Sequence, residues 1–417
     1  MKNYKNKQIG LILIGLMIVM AIIMASVPGI RNRLLWRWEI ARAYMGGVVN
    51  PVEAIPTAKP AVNTEEVIKQ PTYTVTPTVT LKSTLTAEPT ATPQPSPTPL
   101  PEQVRLNSPA YELQDINNCG PATLAMYLRY YGWEGDQFTI SDIIKPIPQD
   151  RNVNIEELDY YVKNYAGWLN TIYRVGGDLE LLKQLTAAGF PVLIEETFRF
   201  EETYWPNDDR WAGHYLLVNG YDDQNQVFLT QDSYKGADLW VPYEELDRNW
   251  QAFNRVYTLV YLPEQEEQLK AILGKNWDAD ANRQHALEVA EMETENDPQN
   301  TFAWFNLGSN LVYFEEYDDA GLAYDKARNI GWPQRMLRYQ FGPFLAYFHD
   351  LRNEDLMSLV EYALERTPNS EEALLWQGWG LYRAGDKQAA IESFQKAIEA
   401  HPDYVDAIYG LNYVLEN

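Results

Sequence analysis

The chain has a single cysteine among its 417 residues, so it cannot form an intramolecular disulfide. Cys119 is therefore either a packing residue or a reactive thiol. Free cysteine is among the most buried residue types, so packing is the simpler interpretation when the residue is considered alone. The residues around Cys119 decide between the two readings.

Motifs for several other chemistries are also missing. The sequence has no HExxH pair, no Cys/His cluster with zinc spacing, no GxSxG serine elbow, no phosphate-binding glycine loop and no dinucleotide fingerprint. We therefore expect no metal and no organic cofactor. The formal net charge is -24, with residues 1–50 at +6 and the remainder at -30. An acidic body without a basic stripe predicts no binding to nucleic acid.

The N-terminus contains an uncharged apolar run from Ile9 to Val27, long enough to cross a bilayer as a helix. Three lysines precede the run, as in the n-region of a secretion signal. A cleaved signal peptide is the alternative, but the residues at the end of the run form a poor cleavage site. We predict a transmembrane signal anchor over residues 1–30 and a juxtamembrane segment over residues 31–50. Arginines also follow the run, so charge alone does not fix the orientation.

Residues 51–103 are dominated by proline and threonine. This composition lacks the apolar periodicity needed to bury a core and favours extended polyproline II conformation. We predict a disordered stalk. A Thr/Pro stalk after a single span is typical of surface proteins that hold a domain away from the envelope. The expected location is therefore the cell membrane, with the following domains outside the cytoplasm.

Residues 104–263 have the pattern of one mixed domain. Apolar periodicity and end signals predict three helices, over residues 120–131, 155–165 and 179–188. Four apolar segments predict strands, which begin near Phe190, His214, Gln226 and Arg255. Helices first and neighbouring strands later indicate an α+β fold rather than a doubly wound sheet.

Prolines recur at a regular period near the C-terminus, where Pro298, Pro333, Pro368 and Pro402 are 35, 35 and 34 residues apart. This is the period of the tetratricopeptide repeat, which is a pair of antiparallel helices. The middle unit fits the pattern only loosely. We predict an all-α repeat solenoid over residues 278–417. Such repeats imply a protein partner, and the histidines in them are expected to be structural.

Cys119 lies in the string QDINNCGPATLAMYLRYYGW, immediately before a predicted helix. The unpaired backbone N–H groups and the dipole at a helix start favour the thiolate over the thiol. Gln114, five residues upstream, has a side-chain amide that can donate to an oxyanion beside the backbone N–H of Cys119. A packing cysteine has no need of these surroundings.

A second motif supplies a base and a carboxylate. His214 begins an apolar strand, and Asp232 ends the next one after a short turn, so an antiparallel pair would place the two side by side. The carboxylate then accepts from one imidazole nitrogen while the other nitrogen faces the thiol. Each residue also has a simpler reading: a buried histidine, a turn-capping aspartate and a surface glutamine. Together, in one domain, they favour a catalytic triad.

These strings resemble a known family. Q-x4-C-G-P-A, G-H-Y-L-L-V-N-G-Y-D-D and Q-D-S-Y are similar to motifs of the papain-like cysteine peptidases related to the bacteriocin-leader, or double-glycine, peptidases. The resemblance covers roughly residues 106–262. It implies Cys119 as nucleophile, His214 as general base and acid, Asp232 as orienting carboxylate and Gln114 as oxyanion donor. Leader peptidases are fused to an export transporter, and their glutamine precedes the cysteine by six residues, so leader specificity is not implied.

The expected function is therefore a membrane-anchored cysteine peptidase that hydrolyses peptide bonds and binds a protein through its repeats. Two alternatives remain: a catalytically silent scaffold, and an acyl transferase in which an amine reacts with the thioester. An acidic and aromatic segment over residues 195–211 favours basic or aromatic peptides if it borders the cleft. If it does not, it is a solvated acidic loop.

Overall fold

The computed structural model describes residues 27–59, 99–145 and 152–417, together with the isolated Gly15. Apart from Gly15 and Val27, the predicted membrane span lies outside the described residues, as do residues 60–98 of the predicted stalk. Within the described ranges no helix is both long and apolar enough to span a bilayer. The first helix, α1 (Pro28–Val49), occupies the predicted juxtamembrane segment.

The mixed domain starts with a short strand and a helical half, which comprise β1 (Gln103–Arg105), α2 (Cys119–Tyr130), α3 (Gln137–Ile144) and α4 (Ile155–Tyr165). Side chains cap two of these helices, because Asp136 accepts from the backbone N–H of Thr139 and Asn154 forms a capping box with Glu157. Helix α2 has no such cap, since its N-cap residue Asn118 makes no side-chain capping bond. The first turn of α2 therefore keeps its N–H groups for other partners.

The second half of this domain is a seven-stranded antiparallel sheet in the order β2-β7-β3-β4-β5-β6, with β1 paired to the end of β4. The remaining elements are β2 (Asn170–Arg174), α5 (Leu179–Ala187), β3 (Val192–Arg199), β4 (Trp211–Asp222), β5 (Val227–Asp232), β6 (Gly236–Pro242), α6 (Tyr243–Trp250) and β7 (Tyr257–Tyr261). The predicted α+β fold and its four predicted strands are confirmed.

One strand boundary was predicted wrongly. Strand β4 begins at Trp211 rather than at His214, because its pairing with β3 continues until Arg199 lies opposite Trp211. His214 therefore lies inside the strand, where both of its neighbours in the chain are held by backbone pairing. A ring in this position has less freedom than a ring at a strand end.

Helix α7 (Glu266–Leu273) leads to the repeat domain, whose helices are α8 (Ala279–Asn296), α9 (Thr301–Tyr313), α10 (Tyr317–Ile330), α11 (Gly342–His349), α12 (Asn353–Arg366), α13 (Glu371–Arg383), α14 (Lys387–Ala400) and α15 (Val405–Glu416). The predicted helical repeats are confirmed. A Cβ atom at Gly378 would lie 2.6 Å from the ring of Phe394, which explains why a small residue is needed where α13 crosses α14. The loosely matching middle unit has a short α11, preceded by an irregular segment over residues 331–341.

The two domains are joined by a shared core rather than by a free linker. One hydrophobic cluster contains Phe253 of the mixed domain and Phe305 and Met336 of the repeat domain. Buried amides add direct hydrogen bonds across the boundary, and Asn254 Nδ2 donates to Asn310 Oδ1 at 2.7 Å. The irregular segment 331–341 of the middle unit is therefore held in a fixed place against the mixed domain.

Candidate active site

Cys119 is the first residue of α2, and its backbone is placed by the loop before it. Asn117 has a left-handed backbone with φ of 55°, and the Nζ of Lys145 donates to its carbonyl oxygen at 2.8 Å. The Gln137 side chain accepts from the backbone N–H of Asp115 and from the side chain of Asn118. These contacts present the thiol at the start of the helix, with the uncapped first turn beneath it.

His214 lies between Asp232 and the thiol. Its Nε2 is 2.8 Å from Asp232 Oδ1, and the imidazole lies close enough to the Cys119 side chain to lower the pKa of the thiol. Because Nε2 bonds to the carboxylate, Nδ1 is the ring nitrogen that is left to interact with the Cys119 sulfur. Asp232 Oδ1 is itself fixed by the backbone N–H groups of Tyr234 and Lys235, at 2.8 and 3.0 Å. The predicted adjacency of His214 and Asp232 on neighbouring strands is confirmed.

The electrostatics of the three residues favour a charged pair. Burial alone would raise the pKa of Cys119, but hydrogen bonds from His214 and from the backbone at Tyr215 and Gly120 lower it below its ordinary value. Burial alone would lower the pKa of His214, but its hydrogen bonds to Asp232 and Cys119 raise that pKa to about 10. Between these two pKa values the site holds a thiolate and an imidazolium.

Gln114 lies at the same cavity as Cys119, as its predicted role requires. Its Oε1 accepts from the hydroxyl of Ser233 at 2.9 Å, and its backbone N–H donates to the Ser233 carbonyl at 2.8 Å. Among the described residues no acceptor is hydrogen-bonded to its Nε2, so the donating end of the amide remains for another ligand. Ser233 directly follows Asp232, so the turn after β5 orients both Asp232 and Gln114.

The site opens into a cavity of about 570 Å³. Eight aromatic rings line it, those of Trp36, Phe138, Phe198, Phe200, Tyr204, Tyr215, Tyr234 and Tyr339. Two buried carboxylates on β3 lie near the reacting groups. Burial and the charge at Cys119 raise the pKa of Glu195 well above its ordinary value, and burial raises the pKa of Glu196 to about 8. Glu196 therefore holds a proton at neutral pH, and burial favours the protonated form of Glu195 as well.

These carboxylates change the interpretation of the acidic segment 195–211. Glu195 and Glu196 are buried in β3, and Asp208 forms a buried ion pair with Arg335 of the repeat domain, with both Asp208 oxygens within 2.7 Å of the guanidinium. Only Glu201 and Glu202 have the exposure of a solvated acidic loop. The segment borders the cleft through Glu195, Phe198, Phe200 and Tyr204, so three of the four side chains that it presents there are aromatic.

The repeat domain supplies Tyr339, which the sequence analysis missed. The Tyr339 ring lies so close to Gly213 that a Cβ atom added to Gly213 would be 3.0 Å from the ring. The same ring packs edge-on against Trp211, with the ring centres 5.6 Å apart. Gly213 immediately precedes His214 on β4. The one sequence signal was indirect, because Tyr339 lies in the irregular segment where the middle unit departs from the repeat pattern.

Comparison with known proteins agrees with the two-domain description. Residues 100–258 match the family model "Peptidase_C39 like family", and residues 372–404 match that of the tetratricopeptide repeat. The chain therefore carries a C39-like peptidase domain, here called the peptidase domain, followed by tetratricopeptide repeats. No curated protein matches the chain.

Several solved structures are similar to single parts of the chain. A double glycine motif protease from an AMS/PCAT transporter, in complex with the leader peptide, shares 20% identity over 38% of this chain and 94% of its own, with a TM-score of 0.28. Xylellain, a cysteine protease from Xylella fastidiosa, shares 16% identity over 39% of this chain and 87% of its own, with a TM-score of 0.31. YrrB, a TPR protein with an unusual peptide-binding site, shares 19% identity over 36% of this chain and 72% of its own, with a TM-score of 0.29.

Proposed function

We propose that the chain is a membrane-anchored cysteine peptidase that hydrolyses peptide bonds through Cys119, His214 and Asp232. The observation that carries this proposal is the position of His214, which hydrogen-bonds to Asp232 at 2.8 Å and lines the same cavity as Cys119, whose pKa it lowers. This is the geometry in which a base activates a nucleophile while a third group orients the base. A cysteine that only packs needs neither partner.

In the first step the Cys119 thiolate attacks the carbonyl carbon of the scissile amide. The negative charge that forms on the carbonyl oxygen accepts hydrogen bonds from the backbone N–H of Cys119 and from Gln114 Nε2. The imidazolium of His214 gives its proton to the amide nitrogen, the C–N bond breaks and the amine leaves. The product of this step is a thioester between the substrate carbonyl and Cys119.

In the second step water attacks the thioester carbon while His214 takes the proton of that water. The C–S bond breaks, the acid leaves, and the thiolate and the imidazolium are restored. Asp232 keeps its charge throughout, because the bonds from His214, Lys235 and Tyr234 lower its pKa even though burial opposes this. Its role is to hold the ring and stabilise the positive charge.

The cavity supports a preference for peptides with a large apolar or aromatic side chain beside the scissile bond. Eight aromatic rings line it, and burial favours the neutral, protonated form of Glu195, one of its two lining carboxyl groups. The other carboxyl group, Asp115, is matched in charge by Arg33 of the same lining, so a basic side chain would find little net negative charge there. We therefore expect peptides with phenylalanine or leucine near the cleaved bond to react faster than peptides with lysine or aspartate.

Incubation of the full chain with a peptide library, with and without an added amine, tests the proposed reaction. A peptidase gives new carboxyl ends, a transferase gives amides when the amine is present, and a silent scaffold gives neither. A peptide electrophile that labels Cys119 would support the thioester route. The absence of both new products and labelling would favour the scaffold.

The membrane anchor and the external location belong to the same proposal, and the apolar run, the stalk composition and the charge distribution support them. The single cysteine makes the orientation testable. A thiol reagent that cannot cross membranes should label Cys119 in intact cells if the peptidase domain is external. Labelling that requires broken cells would place this domain in the cytoplasm.

The repeats are proposed to bind a protein partner.

A further inference from the structure

Helix α1 lies over the mouth of the catalytic cavity. Arg33 and Trp36 line the cavity together with Cys119, and Trp36 packs edge-on against Tyr204 at 5.6 Å. Ile40 continues the same face of the helix and lines a second, smaller cavity beside the first. One face of α1 is therefore turned towards the cleft, whereas Trp38 on the other side is 69% exposed.

Two adjacent glycines near the end of α1 show how closely the helix approaches the peptidase domain. A Cβ atom at Gly47 would lie 2.7 Å from the Cβ of Trp205, a distance that real structures do not show. A Cβ atom at Gly46 would meet nothing within 4 Å. The contact with Trp205 thus requires a glycine at position 47. Gly46 makes the helix less stable than alanine would, and no close contact requires it.

After α1, residues 51–59, which were predicted to be part of a disordered stalk, instead lie across the repeat domain without regular secondary structure. Three backbone groups of this segment are held by side chains of α10 and α12. Arg328 Nε donates to the Pro56 carbonyl at 3.0 Å, and Arg366 Nη2 donates to the Glu53 carbonyl at 3.1 Å. Asp355 Oδ1 accepts from the Lys59 backbone N–H at 3.1 Å.

Two of the side chains that hold this segment also pair with each other inside the repeat domain. Arg328 and Asp355 form an ion pair of 3.0 Å, and their side chains are 0% and 6% exposed. No hydrogen-bond partner is present among the described residues for the buried Arg328 Nη2. A buried guanidinium needs acceptors, and the Pro56 carbonyl supplies one that the repeat domain does not. Ile55 adds a side-chain contact, because it packs against the core that the two domains share.

We propose that Arg328, Asp355 and Arg366 form a binding site for an extended peptide, and that its occupant is residues 53–59 of this same chain, which thereby hold α1 over the catalytic cleft. The functional part of this inference rests on the proposed peptidase activity. The site recognises mainly backbone groups, together with an apolar side chain before a proline. Access to Cys119 by a large substrate then depends on release of residues 53–59.

Neighbouring residues provide matched variants to test this contact. Ile55→Asp puts a charge into the shared core, whereas Ala54→Asp puts the same charge on an exposed position. Gly47→Ala inserts a methyl group against Trp205, whereas Gly46→Ala inserts it into open space. We expect Ile55→Asp and Gly47→Ala to release α1, and the two control variants to leave it in place.

The first measurement is hydrogen–deuterium exchange of residues 28–59 in the full chain in detergent micelles. Helix α1 is marginal when it is not packed, so release should raise its amide exchange at least tenfold in the two test variants. Equal exchange in the test and control variants would overturn the proposal. Rapid exchange of these residues in the unaltered chain would overturn it too. This readout does not depend on catalysis.

The second measurement is the rate at which Cys119 reacts with a bulky maleimide. We expect Ile55→Asp to raise this rate severalfold over Ala54→Asp, while the rate with small iodoacetamide stays the same. If exchange rises but the bulky reagent reacts no faster, α1 does not restrict the cleft and that part of the inference is wrong. If exchange changes as expected but Cys119 is inert in every variant, the proposed peptidase activity fails while the peptide site stands.

Discussion

The peptidase domain and the repeat domain take part in the same cleft in different ways. The peptidase domain supplies Cys119, His214 and Asp232 from adjoining elements that its own core holds in place. The repeat domain supplies Tyr339 from an irregular segment of its middle unit, whereas its last unit, which matches the repeat model over 372–404, keeps two regular helices. In this repeat domain, the contact with the candidate active site lies where the repeat pattern is broken.

If the chemistry belongs to the peptidase domain, His214→Ala should have the largest effect of any change considered. The thiol loses its base and the leaving amine loses its acid, so kcat/KM for a peptide should fall about 1,000-fold or more. His285→Ala, on α8 of the repeat domain, is the control and should keep the original rate. A small effect of His214→Ala would remove the distinction between the two domains.

The contact between the domains should depend strongly on Arg335. Arg335→Met leaves the buried Asp208 without its partner, and breaking such a pair costs about 3 to 5 kcal/mol. We expect a clear fall in the midpoint of chemical denaturation. Arg105→Met removes an exposed pair with Asp238 and should leave the midpoint unchanged. Equal midpoints for the two variants would show that the domains do not stabilise each other through this pair.

Glu196 should make stability depend on pH within the peptidase domain. Its pKa is raised to about 8, so the folded state keeps a proton that the unfolded state loses above its ordinary value of 4.5. The free energy of unfolding should therefore fall as pH rises from about 4.5 to 8, by on the order of 4 kcal/mol. Glu196→Gln should flatten this dependence, and Glu202→Gln, at an exposed position, should not. A curve that is unchanged in Glu196→Gln would contradict this assignment.

Tyr339→Ala should show the smallest but most informative effect. Loss of a ring that lines the cleft and packs on Gly213 should reduce kcat/KM about tenfold. Tyr339→Phe keeps the ring and should restore most of the rate. Tyr409→Ala, at a position 62% exposed in the last unit, is the control. If Tyr339→Ala and Tyr409→Ala behave alike, the repeat domain does not take part in the cleft.

Local patterns allowed part of this arrangement to be predicted. Apolar periodicity predicted helix α2 to within one residue, with a start at Gly120 where the structure has Cys119. The hairpin that joins His214 to Asp232 follows from two apolar segments separated by a short turn. Strands β1, β2 and β6 were missed because they are short or partly exposed and lack a clear apolar alternation. The catalytic roles themselves remain predictions.

Other features depend on contacts between distant parts of the chain. Tyr339 reaches Gly213 across more than a hundred residues, and the segment after α1 reaches Asp355 across nearly three hundred. Such contacts leave no local period in the sequence. The burial of Glu195 was also missed, because an acidic, aromatic string indicates an exposed loop unless its strand pairing is known.

The central claim is a thiolate–imidazolium pair at Cys119 and His214, and the rate of Cys119 alkylation by iodoacetamide against pH tests it most directly. The lowered pKa of Cys119 predicts a reactive plateau that begins well below the ordinary thiol pKa of about 8.5. In His214→Ala the midpoint should move up towards that ordinary value. An inert Cys119, or the same ordinary thiol curve in both proteins, would contradict the account.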